Sequence, residues 1–471
     1  MSKTQVAIIG GGPGGYVAAF KAVDAGLDVT LIDPEENPGG VCLYRGCIPS
    51  KALLHIAKLI NETRQANEWG IQFGTPEINL DQVRAYKNNI IEKMTGGLGQ
   101  LVKARKLKHV RASAKFKDAN NLDLTLIDGG KESLTFEHAI LSTGSSPALP
   151  EIFNIDDQRI MDSTSALDLQ EIPENMLIVG GGIIGMELGQ VYAALGTSVS
   201  VVEMMDGLIP PADRDLVKPL HEHLKSQFEN IWTSTKVTGI TPTKGGISVD
   251  LVDQNNNNLS KTFSRILVSV GRVPNSSDIG IENTNVNLDN RGFVQVNSQM
   301  QTKEASIFAI GDVIGAGLAH TASHQGTIVA EILAGHEKLV FEPRAIPNVV
   351  YTDPEVAWCG LTEQQAKDQK IEVKTARFPW SASGRATAIA RNEGLTKLLV
   401  DPESDRILGV GIVGNNAGEL IAEGVLAIEM AALTSDIQLS IHPHPTLSET
   451  FMEAAEVYYG QSPHLYSPKR S

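Results

Sequence analysis

The sequence predicts an α/β protein in which one strand–helix–strand unit is inserted into another of the same plan, and an α+β unit follows. Three observations predict it: one glycine pattern recurs 170 residues on, apolar runs closed by glycine follow each copy, and that pattern stops near Ile346. A chain of 471 residues has room for roughly three domains of about 150 residues. Its 44 glycines and 42% hydrophobic content suit a globular protein with many tight turns.

The first copy, VAIIGGGPGGYVAAFKAVDAGLDVTLID, runs from Val6 to Asp33, and the second, MLIVGGGIIGMELGQVYAALGTSVSVVE, from Met176 to Glu203. Each opens with an apolar β-branched run, passes Gly-x-Gly-x-x-Gly, continues as a small-residue helix, turns at Gly26 or Gly196 and closes a second strand with an acid. Gly10 and Gly180 permit the tight strand-to-helix turn, Gly12 and Gly182 let backbone approach a pyrophosphate, and Gly15 and Gly185 let helix and strand pack closely. The helix N-terminus then offers free N–H groups to phosphate. Asp33 and Glu203 stand where an acid accepts hydrogen bonds from an adenosine ribose. Two Rossmann-type dinucleotide units are therefore expected. Glu203 suits a free 2′-hydroxyl and repels a 2′-phosphate, and Met204, Met205 and Asp206 bring no cation, so NAD is expected there rather than NADP.

Leu141-Ser142-Thr143-Gly144, Val268 to Arg272, and Ile307 to Asp312 each close an apolar run with glycine. They suggest that the first unit occupies 1–148, is interrupted by the second over 149–280, and is completed by 281–345. Alternating strands at Leu395–Val400 and Ile407–Val413 with a helical pattern from Gly418 to Ala432 place the α+β unit at 346–471.

The net charge of −15 argues against nucleic acid and anionic membrane as partners. No run of about 18 apolar residues offers a membrane span, and the opening MSKTQVAIIGGG enters a strand with no signal segment, so a reducing cytoplasm is expected. The basic run Lys103 to Lys108 reads as a solvated helix face.

Two of the three cysteines, Cys42 and Cys47, stand five positions apart in GGVCLYRGCIPSK. A chain this long needs no disulfide staple, and in a reducing compartment a close pair is more often catalytic or metal-binding. Two dinucleotide sites imply an electron relay, which a redox disulfide would feed. In a regular helix the two Cα atoms would lie about 8–9 Å apart, whereas a disulfide needs less than about 7 Å. The backbone must therefore leave the helix between them, and Gly46 is placed to do so. Zinc is the rival reading, but Cys359 is far away and no Cys-x-x-Cys occurs, so no metal site is expected.

GGVCLYRGCIPSKALL resembles the redox motif of the pyridine-nucleotide disulfide oxidoreductases, and its I-P-S-K-A-L continuation resembles the branch that oxidises dihydrolipoamide. The likeness spans the chain through GGGIIGMELG, VGRVPN, FAIGDV, VVYTDPEVAWCGLTE and HPHPTLSET. It implies FAD at the first unit, held at Gly10, Gly12, Gly15, Asp33, Lys51, Ala114, Thr143, Gly144, Asp312 and Ala319. NAD is implied at the second, at Gly180, Gly182, Gly185, Glu203, Val237 and Gly271. Substrate thiolate would attack Cys42, Cys47 would face the flavin, and Lys51 would pair with Glu187 beside it. His444, in register with Glu449, would be the base, with His442 its competitor in sequence. The resemblance also implies a homodimer in which the histidine serves the other subunit's disulfide, a dihydrolipoyl carrier domain as substrate, and docking on the acyltransferase core of a 2-oxo acid dehydrogenase complex, with glycine cleavage as another setting.

The chain departs from that pattern at Tyr44 and Arg45, where the family usually has Asn and Val, and at Asp33, where it usually has Glu. A cation at Arg45 is expected to lower a thiolate pKa or to shift the disulfide potential. Cys359 reads as a buried small residue. Among siblings, an NADPH-dependent glutathione reductase would carry basic residues after Glu203, and the ending HLYSPKRS lacks a second redox pair. A mainly structural docking subunit is the alternative from another class.

Overall fold

In a computed structural model, which describes residues 2–466, the chain forms two Rossmann-type units, the second inserted in the first, and a C-terminal α+β unit. The last five residues of the expected C-terminal unit lie outside the described range. In the first unit β1 (Ser2–Ile9), α1 (Pro13–Asp24) and β2 (Val29–Ile32) make the strand–helix–strand turn, with Val6 to Ile9 paired in parallel with Val29 to Ile32. Strand Lys131–Leu141 flanks β1 on its other side, and Ile307–Ala309 pairs in parallel with it, so the chain returns to the first sheet after the insertion. Both β1 and β2 end in wholly buried apolar residues, as parallel strands covered on two faces must.

The second unit repeats the plan with β3 (Asn175–Val179), α4 (Ile183–Leu195) and β4 (Ser198–Val202), and Met176 to Val179 pair in parallel with Val199 to Val202. Helix α4 is apolar almost all round and buried on most sides, which suits a helix packed between a sheet and neighbouring helices. The C-terminal unit is a five-stranded sheet in the order Asn348–Val350, Glu355–Gly360, Ile407–Gly414, Leu395–Val400, Lys374–Pro379, covered by helices Ala417–Glu429 and Glu449–Tyr459.

One apolar cluster joins the units: Leu53 and Ala57 from the helix after the cysteines, Met186 and Val191 from α4, and Val350, Val356 and Trp358 from the third sheet pack together. The cysteine segment is thereby wedged where all three units meet. The basic run differs from its expectation: Lys103 lies in the last turn of helix Leu80–Ala104, Arg105 caps it and bonds Asp24, and Lys106 turns the chain with φ 54°. It ends a helix rather than coating one face.

Candidate active site

Gly10 has φ +101°, and a Cβ there would stand 2.2 Å from the Ser142 carbonyl oxygen; Gly180 has φ +106°, and its Cβ would stand 2.5 Å from that of Ser269. Behind them, a Cβ on Gly15 would meet the Gly10 carbonyl oxygen at 1.9 Å and one on Gly185 the Gly180 carbonyl oxygen at 2.3 Å. Both loops thus require glycine for the left-handed turn and for the close approach of helix to strand. Helices α1 and α4 start after Gly12 and Gly182 with no side-chain cap, so their first N–H groups are free for an anion.

The acids are held alike. Asp33 accepts from Gly11 N–H at 2.5 Å and Glu35 N–H at 2.9 Å; Glu203 accepts from Gly181 N–H at 2.6 Å and Met205 N–H at 2.7 Å. Each carboxylate oxygen takes one backbone donor and keeps a lone pair for a ribose hydroxyl.

One cavity of about 1670 Å³ joins the two loops. It exceeds the roughly 300–1,000 Å³ of an ordinary ligand pocket, as a site for two dinucleotides must. Ala114, Thr143, Gly144, Asp312, Ala319, Val237 and Gly271 line it, with Cys42, Cys47, Lys51 and Glu187 between the loops, while Gly15 and Gly185 stand behind the wall. Asp312 accepts from Ser145 Oγ at 2.5 Å and lies 3.7 Å from Arg272, contacts that no local sequence signal indicates. The long helix Ala319–Leu333 also starts at the cavity with an uncapped N-terminus. The glycine cradle, paired acids and free helix ends fit two nucleotide cofactors.

Around the cysteines, α2 (Gly40–Arg45) ends and α3 (Cys47–Gln65) begins at Gly46, whose φ of −144° and ψ of −113° break the helix. A Cβ on Gly46 would stand 2.9 Å from the Val41 carbonyl oxygen. The break brings the two sulfurs, both free thiols in this structure, into hydrogen-bond contact. Donating that bond pushes the Cys42 pKa up, and burial pushes it further. Accepting it draws Cys47 down to about 7 against the burial that opposes it, with the Lys51 ammonium assisting. Of the pair, Cys47 ionises first.

Lys51 Nζ donates to Glu187 Oε2 at 2.9 Å and Oε1 at 3.2 Å, and Tyr351 N–H donates to Glu187 Oε1 at 3.0 Å. Burial works against the Lys51 charge, but the Glu187 carboxylate outweighs it and the pKa is raised. The Tyr351 ring lies 4.5 Å from Lys51 Nζ. This residue of the third unit had no role in the sequence reading, because a contact across 300 positions leaves no local mark.

His444 Nδ1 lies 2.9 Å from Glu449 Oε1, and Thr446 N–H donates to Glu449 Oε2 at 2.7 Å. The His444 side chain is 79% exposed and lies off the cavity wall, whereas that of His442 is 7% exposed and paired with Glu423 at 2.8 Å. Within one chain the structure gathers Cys42, Cys47, Lys51 and Glu187 and leaves His444 and Glu449 elsewhere. Arg45 corrects an expectation: it pairs with Glu35, and the cation that acts on the thiols is Lys51. Cys359 is buried, with its pKa pushed up by burial to about 12.

A site of this kind defines a flavoprotein-type disulfide oxidoreductase, and the comparisons agree. The chain belongs to the pyridine nucleotide-disulphide oxidoreductase family, which matches residues 4–326, while the family's dimerisation domain matches 346–455. Its relatives include dihydrolipoyl dehydrogenases of Haemophilus influenzae, 46% identical over 99% of this chain and 97% of the relative, and of Vibrio cholerae, 46% identical over 97% and 96%. In fold it is similar to LpdA of Mycobacterium tuberculosis, with TM-score 0.88 and 24% identity over 97% of this chain and 99% of that one. The HOCl-induced flavoprotein disulfide reductase RclA of Escherichia coli, solved as a Cu(II) complex, gives TM-score 0.85 and 25% identity over 98% and 99%. Among the described residues no helix is long and apolar enough to cross a membrane.

Proposed function

We propose that the chain is a dihydrolipoamide dehydrogenase, oxidising the dihydrolipoyl group of a carrier domain to lipoamide with FAD as resident cofactor and NAD⁺ as acceptor. The observation that carries this reading is the thiol pair, with Cys47 lowered to about 7, on the wall of one cavity shared by two acid-closed nucleotide loops. In the oxidised enzyme Cys42 and Cys47 form a disulfide. A substrate thiolate attacks Cys42, Cys47 leaves as thiolate, and the second substrate thiol displaces Cys42 to close the lipoamide ring. The pair takes up two electrons. A thiol of pKa near 8.5 costs about 2 kcal/mol to ionise at pH 7. The partner subunit's His444, oriented by the partner subunit's Glu449, removes that cost by accepting the proton; the exposure of His444 away from its own chain's cavity supports a homodimer.

FAD held by the Gly10–Gly15 loop and Asp33 would supply two-electron transfer between the thiol pair and the nicotinamide. Lys51, neutralised by Glu187, holds a cation beside Cys47 and stabilises its thiolate. Glu203, with Met204 and Met205 behind it, favours NAD over NADP. The return of Ile307–Ala309 to the first sheet supports units at 1–148 with 281–345, 149–280 and 346–471. A reversible thiol pair suits the cytoplasm, where the enzyme would dock on the acyltransferase core of a 2-oxo acid dehydrogenase complex or serve glycine cleavage.

Purified protein is expected to be yellow, to form NADH from dihydrolipoamide and NAD⁺, and to lose that activity in Cys42→Ser. Colourless protein, or no NADH formed, overturns the reading.

A further inference from the structure

Tyr44 and Arg45 sit between the two redox cysteines, yet both side chains turn from the sulfurs toward the loop after β2. Arg45 forms an ion pair with Glu35, and Tyr44 Oη donates to the Asn37 carbonyl oxygen at 2.9 Å. Glu35 N–H in turn donates to Asp33 Oδ1 at 2.9 Å, so a continuous set of contacts links helix α2 to the ribose-side acid. Asp33, Glu35, Gly40, Val41 and Arg45 all line the cavity, and Gly40 runs so close to the glycine loop that a Cβ on it would stand 2.5 Å from Gly12 Cα. At the second loop no segment approaches the equivalent glycine: a Cβ on Gly182 would meet nothing within 4 Å.

We propose that Arg45 and Tyr44 are positioning residues that strap the redox helix over the adenosine end of the first nucleotide site and thereby retain its cofactor. Resting on the assignment of FAD to the first loop, this inference adds what keeps the flavin from leaving. The segment between Asp33 and α2 lies against the glycine loop at Gly40, and from there Arg45 reaches Glu35. Its strength is that of a partly exposed ion pair, modest and screened by salt. Its effect on the thiols is small, since Lys51 and the mutual hydrogen bond set their ionisation.

The test is the rate at which holoprotein releases FAD, read as the rise of flavin fluorescence after dilution. Arg45→Gln and Glu35→Gln are each expected to release flavin about three- to tenfold faster than the parent. Their combination releases it no faster than either alone, and the charge swap Glu35→Arg with Arg45→Glu restores slow release. Tyr44→Phe, which keeps the ring, gives a smaller acceleration. Raising salt speeds release from the parent and not from Arg45→Gln. The pH midpoint of thiol alkylation in the reduced protein stays where it is in all five variants. Unchanged release rates in a yellow protein, a swap that does not rescue, or an alkylation midpoint that moves in Arg45→Gln overturns the proposal. A parent protein isolated without flavin would instead overturn the cofactor assignment.

Discussion

The two glycine loops have the same backbone and opposite covers. Their likeness runs further than the sequence shows: Gly39 N–H donates to the Gly11 carbonyl oxygen at 2.8 Å, and Ile209 N–H, 170 positions on, donates to that of Gly181 at 2.9 Å. The segments leading there, DPEENPG and EMMDGLI, share almost nothing, because backbone-to-backbone bonds ask little of side chains. At the next residue the copies part. Gly40, with φ +57°, enters the redox helix directly against its loop. Pro210 and Pro211 keep the second copy out of helix until Asp213, and its acids then turn to the third unit. There the Lys397 side chain, 1% exposed, bonds Asp213 at 2.6 Å, Asp215 at 2.7 Å and Glu363 at 2.9 Å. The same turn thus leaves the first loop packed against the redox helix at Gly40 and the second open at Gly182, a difference that suits the proposed division between a resident and an exchangeable cofactor.

The largest effect expected from breaking this comparison comes from the turns themselves. Gly10→Val and Gly180→Val each drive a Cβ into a carbonyl oxygen, at a cost on the order of 3 kcal/mol or more. Gly10→Val should yield protein with little flavin absorbance, whereas Gly180→Val should stay yellow and lose NADH affinity by roughly 100-fold or more, equivalent to about 2.7 kcal/mol. Equal flavin loss in both would show that the loops do not divide the cofactors.

Lys397→Met leaves Asp213, Asp215 and Glu363 facing one another without their shared buried cation. Denaturant unfolding is expected to show a loss of about 3–5 kcal/mol. A negligible change would mean that Arg377, which pairs with Asp215 and Glu363, carries the junction alone.

The thiol pair gives a smaller, pH-dependent effect. In the reduced protein one thiol should alkylate with a midpoint at about pH 7, faster above it where Cys47 is thiolate and slower below it where the proton returns. Lys51→Met removes the assisting cation and should raise that midpoint by roughly one unit, about 1.4 kcal/mol. Smallest of all, Met204→Ser and Met205→Ser change residues that are 70% and 49% exposed at the uncovered loop, and unfolding free energy should stay within about 0.5 kcal/mol.

Much of the candidate site was legible because its chemistry is written locally. Gly10, Gly15, Gly180 and Gly185 are where only a missing Cβ fits, and the Cys42–Cys47 spacing demanded a break that Gly46 supplies. The expected pull of Arg45 on a thiol pKa is absent because sequence proximity to a sulfur says nothing of which way a side chain turns, and Glu35 offered a nearer charge.

The sequence by itself determined the two turns, the acids that close them and the thiol pair, since each carries a local mark: positive φ at Gly10 and Gly180, the approach of Gly15 to Gly10 and of Gly185 to Gly180, the bonds of Asp33 to Gly11 and Glu203 to Gly181, and the cysteine spacing. Tertiary structure alone decided that Glu187 meets Lys51 and Tyr351, that Lys397 is buried among three carboxylates, and that His444 stands apart from the sulfurs of its own chain. All of those contacts but Lys397–Glu363, 34 positions apart, join residues more than 100 positions apart, and only the packing of three units around one apolar cluster fixes which of many equivalent charges come together.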